Sequence, residues 1–188
     1  MKKALPFFIA SIVCVVFAIR YFRPDITSFA GGSEEESGNV ADISLPLPHA
    51  VMPGMDGDWV DLEKYKGQVM LINFWTTWCP GCRDEMPNLI KLQNEFGAKG
   101  FTVVAIAVDD QGEQSVSSFV QAEHFNVGGS SMTVNFPVLL GHDELSRQIG
   151  FEGGLPASVL VNRDGKEVKI IRGPLREQDV TKIIKRLL

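Results

Sequence analysis

Hydrophobic and polar positions divide the chain into three parts. An unbroken apolar run from Ala4 to Ile19 comes first, and a stretch rich in Ser, Gly, Glu, Asp and Pro follows it. From Pro48 onward, short apolar runs alternate with turn residues. This order predicts a leader over residues 1–23, a flexible linker over 24–47 and one folded domain over 48–188.

The leader has the pattern of a membrane segment. As a helix, its 16 residues would rise about 24 Å, slightly less than the roughly 30 Å hydrocarbon core of a bilayer, and Arg20 can snorkel toward the headgroups. We therefore expect a retained signal anchor that crosses the inner (cytoplasmic) membrane once and leaves the folded domain on the periplasmic, extracytoplasmic side. The alternative is a signal peptide cleaved near Ser28-Phe29-Ala30.

The folded part alternates between two kinds of apolar pattern. Continuous apolar runs predict buried strands, and apolar residues spaced three to four apart predict helices. The predicted strands lie near residues 51 and 59–60 and over 69–75, 101–108, 136–140, 157–161 and 167–172, and the predicted helices over 80–98, 115–125, 143–149 and 177–188.

The order of these elements indicates the fold class. Turn residues at 54–58 between the first two short strands predict an N-terminal β-hairpin, and Asp164-Gly165 between two apolar runs predicts a hairpin near the C-terminus. The strand–helix alternation between the two hairpins is typical of parallel strands. We therefore predict an α/β fold with a central mixed sheet and helices on both faces.

Composition narrows the range of functions. The net charge is -5, so no basic surplus indicates a nucleic-acid partner. The three cysteines are too few for a small scaffold held by disulfides. His49, His124 and His142 lie in separate segments without metal-ligand spacing, so we expect no metal and no other cofactor.

The candidate chemistry lies in Trp78-Cys79-Pro80-Gly81-Cys82, between a predicted buried strand and a predicted helix. Cys79 would occupy the helix N-terminus, where free N–H groups and the helix dipole stabilise a thiolate. Cys82 follows one turn later, so Cys79 is predicted to attack a substrate disulfide and Cys82 to resolve the mixed disulfide. The alternatives are half of a zinc site, which needs further ligands, and a structural disulfide, which gains little by closing so short a loop.

Further motifs accompany this cysteine pair. They are Val69–Trp75 before it, Arg83–Pro87 after it, Asn135–Val138, Gly154–Pro156, Asn162–Lys166 and Gly173. With these motifs, the chain from about Pro48 to Leu188 resembles the TlpA/ResA-like branch of the thioredoxin superfamily, which includes thiol–disulfide proteins of cytochrome c maturation. The resemblance implies a thioredoxin-like fold.

The resemblance also implies a substrate-binding surface beside the cysteines. Pro156 would be the cis-proline next to the active site, and the backbone of Leu155 would face Cys79 and pair with a docked substrate strand. Trp78 would flank the site and contribute to substrate binding. An ordinary trans turn proline is the alternative for Pro156.

The resemblance suggests a proton-exchanging group as well. Thioredoxins carry a buried Asp six residues before the first cysteine, but Asn73 occupies that position here and cannot act as an acid or base. Glu85, one turn beyond Cys82, would therefore donate and accept the proton of Cys82. The alternative is a solvated Glu85 that is favoured only by the helix dipole.

Two segments depart from the pattern of the branch. Val127–Thr133 has the composition of an extra loop, and Ala157-Ser158 replaces the two threonines often found after the proline. Both departures bear on the substrate more than on the chemistry.

These observations predict a membrane-anchored, extracytoplasmic thiol–disulfide oxidoreductase that reduces substrate proteins, with apocytochrome c as one candidate substrate. A membrane dithiol donor of the DsbD/CcdA type would keep it reduced. The alternatives are a net disulfide oxidase or isomerase, and a binding or chaperone module whose cysteines only regulate it. Sequence does not give the reduction potential that separates the first two.

Overall fold

The computed structural model describes residues 45–141, 143–148 and 154–188. The predicted leader and nearly all of the predicted linker lie outside the described residues. No helix within the described ranges is long and apolar enough to cross a membrane.

The described elements follow the predicted order. The strands are β1 (Val51–Pro53), β2 (Trp59–Asp61), β3 (Val69–Trp75), β4 (Phe101–Ala107), β5 (Phe125–Val127), β6 (Ser130–Met132), β7 (Val138–Leu140), β8 (Ala157–Val161) and β9 (Glu167–Arg172). The helices are α1 (Pro80–Phe96), α2 (Glu113–Ala122), α3 (Asp143–Gln148) and α4 (Glu177–Leu187), with 3-10 turns at Leu62–Tyr65 and Gly97–Lys99.

Five strands form a central mixed sheet in the order β7-β4-β3-β8-β9. β3, β4 and β7 are parallel, whereas β8 pairs antiparallel with both β3 and β9. Every residue of β3 and β4 is buried, as their continuous apolar runs require of strands covered on both faces. The mixed sheet predicted from the sequence is thus confirmed, and it brings the carboxyl ends of β3 and β4 to one edge.

The side chains of the sheet contribute to two apolar clusters. The first contains Leu71 and Trp75 of β3 together with core residues of α1, α2 and α4. The second contains Ile72 and Phe74 together with residues of β1, β2 and the first 3-10 turn. The buried apolar side chains of α1, α2 and α4 belong to the first cluster. Short strands and the first 3-10 turn contribute apolar residues to the second cluster.

The segment predicted as an extra loop, Val127–Thr133, is largely an antiparallel hairpin. β5 and β6 pair around Gly128 and Gly129, whose φ angles of 59° and 88° suit a two-residue turn of the primed type. Phe125 begins β5 instead of ending the preceding helix, and its ring lies 6.1 Å from that of Phe119 on α2. The loop prediction was wrong because each strand has only three residues, too few to show alternation.

The folded domain extends slightly further toward the N-terminus than residue 48. Leu47 N–H donates to Gly165 O and Glu167 N–H donates to Leu45 O, each at 2.9 Å. Pro46 forms an isolated antiparallel bridge with Lys166. Residues 45–47, which the sequence placed in the linker, therefore pair with the start of the edge strand β9.

Candidate active site

Cys79 and Cys82 lie where β3 gives way to α1. Cys79 is the N-cap of α1, with extended backbone angles, and Pro80 takes the first helical position, which tolerates proline because its N–H would be unpaired anyway. The two cysteines form a disulfide with their Cα atoms 5.3 Å apart, and Cys82 N–H donates to Cys79 Sγ at 3.2 Å. The helix N-terminus therefore points a backbone N–H at the sulfur predicted to attack.

The two sulfurs differ in their access to solvent. Cys79 is 6% exposed and Cys82 is fully buried. Only Cys79 can meet a substrate disulfide without a change in the surrounding structure, which fits the roles predicted for the two cysteines.

The loop before Cys79 is held by two carboxylates that sequence reasoning missed. Thr77 donates to Asp109 Oδ2 through both its backbone N–H and its hydroxyl group, each at 2.6 Å. The indole N–H of Trp78 donates to Asp110 Oδ1 at 2.8 Å, and the side chain of Trp78 remains 53% exposed. The pair Asp109-Asp110 lies just beyond the end of β4, at the edge of the sheet where β3 also ends. Functional residues often lie at the carboxyl ends of parallel strands, and this position was the signal that could have identified them from the sequence.

Pro156 lies against the turn between the cysteines. The Leu155–Pro156 peptide bond is cis, as the resemblance implied. A Cβ atom added to Gly81 would lie 3.2 Å from Pro156 Cδ and 3.6 Å from Pro174 Cγ. Pro156 O also accepts from Gly173 N–H at 2.9 Å. Glycine at position 81 thus allows two proline rings to approach the first turn of α1.

Glu85 is buried beneath the cysteine pair, one helical turn beyond Cys82. It is 2% exposed, so the solvated alternative is wrong. Its Oε1 accepts from Asn73 Nδ2 at 2.7 Å, and its Oε2 accepts from Leu175 N–H at 3.0 Å. Burial raises the pKa of Glu85, while the hydrogen bonds from Leu175 and Asn73 oppose that rise. A carboxyl group in this environment can hold a proton closer to neutral pH than an exposed glutamate.

Asn73 links Glu85 to the strand that follows Pro156. Its Nδ2 also donates to Ser158 Oγ at 3.0 Å, whereas its Oδ1 is buried and finds no partner among the described residues. Ser158 belongs to the pair that departs from the family pattern. Sequence gave no sign of this contact, since it joins positions far apart in the chain.

The described part of the chain contains no group of three or more His, Cys, Asp or Glu side chains that could hold a metal ion. Of the histidines, His49 lies on the surface 3.2 Å from Asp61. His142 lies outside the described residues.

Comparison with known proteins agrees with this geometry. A family model described as Redoxin matches residues 42–187. The chain belongs to the redoxin family. It is similar to the thiol-disulfide oxidoreductase ResA of Bacillus subtilis (strain 168), with 29% identity over 94% of this chain and 90% of that protein. ResA of Bacillus anthracis is 30% identical over 77% of this chain and 78% of that protein.

A solved structure shows the same architecture. The thiol:disulfide interchange protein, a thioredoxin family protein, of Chlorobium tepidum TLS superposes with a TM-score of 0.64 and 28% identity, over 77% of this chain and 96% of that one. The fold is therefore thioredoxin-like. With its cysteine pair at the N-terminus of α1, the chain is a thiol–disulfide oxidoreductase.

Proposed function

We propose that the chain is a membrane-anchored, extracytoplasmic reductase of protein disulfides, with apocytochrome c among its substrates. The observation that supports this most strongly is the asymmetry of the site. A slightly exposed Cys79 caps a helix, and a sealed Cys82 is followed one turn later by a buried acid. Similarity to proteins named ResA adds to this support.

The reaction begins with both cysteines reduced. The Cys79 thiolate attacks one sulfur of a substrate disulfide, the substrate S–S bond breaks, and the other substrate sulfur leaves as a thiolate. Cys82 then loses its proton to Glu85 and attacks Cys79 Sγ, which releases the second substrate sulfur. The substrate has gained two electrons, and the enzyme is left with the Cys79–Cys82 disulfide. A membrane dithiol donor of the DsbD/CcdA type returns the two electrons.

Substrate binding is proposed for the surface around Cys79. The half-buried Leu155 precedes the buried Pro156, and its backbone offers hydrogen-bonding groups to an extended substrate segment. Trp78 is a large exposed aromatic side chain directly before Cys79, and its hydrogen bond to Asp110 fixes the ring in place. An aromatic ring of this kind supplies contact area with little loss of side-chain entropy.

Membrane attachment is proposed for residues 1–23. The apolar run supports it, and the similarity to the Bacillus subtilis protein covers 94% of the chain, so it extends into the leader. A single anchor would confine the reductase near its electron donor.

The net direction of electron flow is tested in cells. We expect the wild-type protein to be mostly reduced at steady state, as judged by rapid acid quenching and alkylation, and we expect Cys79→Ser to abolish covalent haem attachment to c-type cytochromes. Cys14→Ser serves as the control, because it also removes one thiol and should leave haem attachment unchanged. A mostly oxidised wild-type protein would favour the oxidase alternative, and normal cytochromes in Cys79→Ser would remove cytochrome c maturation from the proposal.

A further inference from the structure

Asn73 lies between the carboxyl group of Glu85 and the hydroxyl group of Ser158. One side of its amide is fully used, since Nδ2 donates to Glu85 Oε1 at 2.7 Å and to Ser158 Oγ at 3.0 Å, with a longer contact to Ala157 O at 3.5 Å. The other side is not, because the buried Oδ1 has no partner among the residues that the structure describes. The amide is therefore held as a donor, on one edge only.

The two carboxyl oxygens of Glu85 differ in their hydrogen-bond partners, and only one of them can carry a proton without losing its partner. Oε2 receives the backbone N–H of Leu175 at 3.0 Å, and a backbone N–H can only donate. A proton on Glu85 therefore belongs on Oε1, the oxygen that faces Asn73. When Glu85 is ionised, Oε1 needs a donor, and when Glu85 is protonated, Oε1–H needs an acceptor.

Asn73 can meet both needs because its amide has a donor edge and an acceptor edge. A half-turn of the amide exchanges Nδ2 and Oδ1. In the turned orientation, Oδ1 accepts from Glu85 Oε1–H and also from Ser158 Oγ–H, since a hydroxyl group both donates and accepts. An aspartate at position 73 could not do this, because its own titration would be coupled to that of Glu85.

We infer that the Asn73 amide turns over when Glu85 gains or loses its proton, and that Ser158 follows by reversing its own hydrogen bond. Asn73 and Ser158 are then positioning residues that keep Glu85 hydrogen-bonded in both states. Glu85 thereby keeps a partner on either side of the proton transfer, while the turned Nδ2 takes the buried place in which Oδ1 now finds no partner among the described residues. The functional consequence rests on the proton exchange between Glu85 and Cys82 proposed above.

The elements packed around Glu85 present few other titratable groups. β3 contributes Asn73, β8 contributes Ser158, and the loop after β9 contributes the backbone of Leu175. On its own helix, the titratable groups on the N-terminal side are Cys82, Cys79 and the exposed Asp84, while Arg83 pairs with Glu123. Within the described residues, burial and two hydrogen bonds account for the shifted pKa of Glu85, with no charged partner.

The test uses the full-length protein in its oxidised form, where the cysteines do not titrate. We would follow Glu85 by its carboxyl ¹³C shift and Asn73 by nuclear Overhauser contacts between its side-chain amide protons and the Ser158 β protons. These contacts should be present above the Glu85 midpoint and fall at least threefold below it. Glu85→Gln should leave them independent of pH, whereas Glu167→Gln, the control at another buried acid, should leave their pH dependence unchanged. Contacts of equal intensity on both sides of the midpoint would overturn the inference.

A second variant separates this inference from the proposed proton exchange. Asn73→Leu keeps the side-chain volume and removes both amide edges, and Ser158→Ala is a milder change for use should that variant not fold. Because a turning amide serves the ionised form as a donor and the protonated form as an acceptor, loss of both edges should leave the Glu85 midpoint nearly unchanged. In the reduced protein, resolution by Cys82 should slow about tenfold. Suppose that the wild-type amide turns with pH but that Cys82 of the variant resolves the mixed disulfide at the wild-type rate. The inference would then stand, and the result would count against Glu85 as the proton acceptor. A midpoint that rises by about one pH unit or more would show that Asn73 acts only as a fixed donor to the ionised form, and it would contradict the inference itself.

Discussion

Single residues of the site differ most in their access to water. Cys79 keeps a small exposed surface at a helix N-terminus. Cys82 is fully buried in the first apolar cluster, and Glu85 is also buried. An exposed thiol at a helix N-terminus favours the thiolate, and a buried carboxyl group favours the acid. The same helix thus carries a thiol at its N-terminus and a buried carboxyl group whose pKa is raised by burial.

Glu85→Gln should change the pH dependence of the thiols. The variant keeps the shape of the side chain and its acceptor oxygen but removes the titration. We expect resolution of a mixed disulfide by Cys82 to slow by about tenfold or more near neutral pH, since general base catalysis is typically worth 10²–10⁴-fold. Stopped-flow measurements across pH 5 to 9 would check this. A pH profile identical to that of the wild type would reduce Glu85 to a structural residue.

Glu167 tests how burial changes the pKa of a carboxyl group and the stability of the protein, at a position far from the cysteines in the sequence. It is 2% exposed, its Oε2 has no partner among the described residues, and burial raises its pKa from 4.5 to about 7. The folded state then binds more protons than the unfolded state between these values, so this residue lowers stability as pH rises from about 4.5 to 7.

Glu167→Gln should therefore stabilise the protein at pH 8 by roughly 1 to 3 kcal/mol and leave it nearly unchanged at pH 4. Urea unfolding at the two pH values would measure the difference. Glu63→Gln, at an exposed acid, is the matched control and should have little effect at either pH. An equal effect of Glu167→Gln at both pH values would show that the carboxyl group does not titrate in this window.

At the scale of elements, the first turn of α1 is shaped by what packs on it. Pro156 and Pro174 approach Gly81 closely enough that a methyl group there would meet Pro156 Cδ at 3.2 Å. A rigid proline ring can move by a few tenths of an ångström only if its loop moves with it.

Gly81→Ala should therefore fail to stabilise the helix. An ordinary helical Gly→Ala change gains roughly 0.5–1 kcal/mol, but here the displaced proline should offset that gain and slow the reaction of Cys79 with a protein disulfide about threefold or more. Thermal unfolding and rate measurements would show both effects. A stabilised variant with an unchanged rate would mean that Pro156 yields freely to the methyl group.

The long elements could be predicted from the sequence, whereas the short strands β5 and β6 could not. β3, β4 and α1 have runs of apolar residues long enough to show their period, and the cysteine motif places α1 by itself. β5 and β6 have three residues each, and residues 45–47 pair only because β9 offers them a free edge. In the site, the roles of Cys79, Cys82 and Pro156 could be predicted from sequence motifs. Ser158 and Leu175 act through contacts that no local pattern records.

At the scale of the whole molecule, the predicted anchor and the folded domain should act as one membrane-bound enzyme. The folded domain begins by residue 45, where the chain pairs with the start of β9. The sequence predicts a tether over residues 24–47, of which residues 45–47 pair with the folded domain.

Cell fractionation tests this arrangement. If the leader is retained, the protein should stay with membranes after a carbonate wash, and protease added to spheroplasts should degrade the folded domain. A truncated chain beginning at residue 24 and exported by an unrelated cleavable signal should be released as a soluble protein. Recovery of the wild type as a soluble chain starting near Gly31 would instead establish cleavage.

The division of labour between Cys79 and Cys82 is most directly tested by intact mass after mixing the reduced protein with a disulfide-bonded peptide. Cys82→Ser should accumulate close to one equivalent of mixed disulfide through Cys79, because the attacking thiol remains and the resolving thiol is gone. Cys79→Ser should form less than about a tenth as much in the same time, since Cys82 is fully buried. Equal amounts of mixed disulfide in the two variants would contradict the assigned roles.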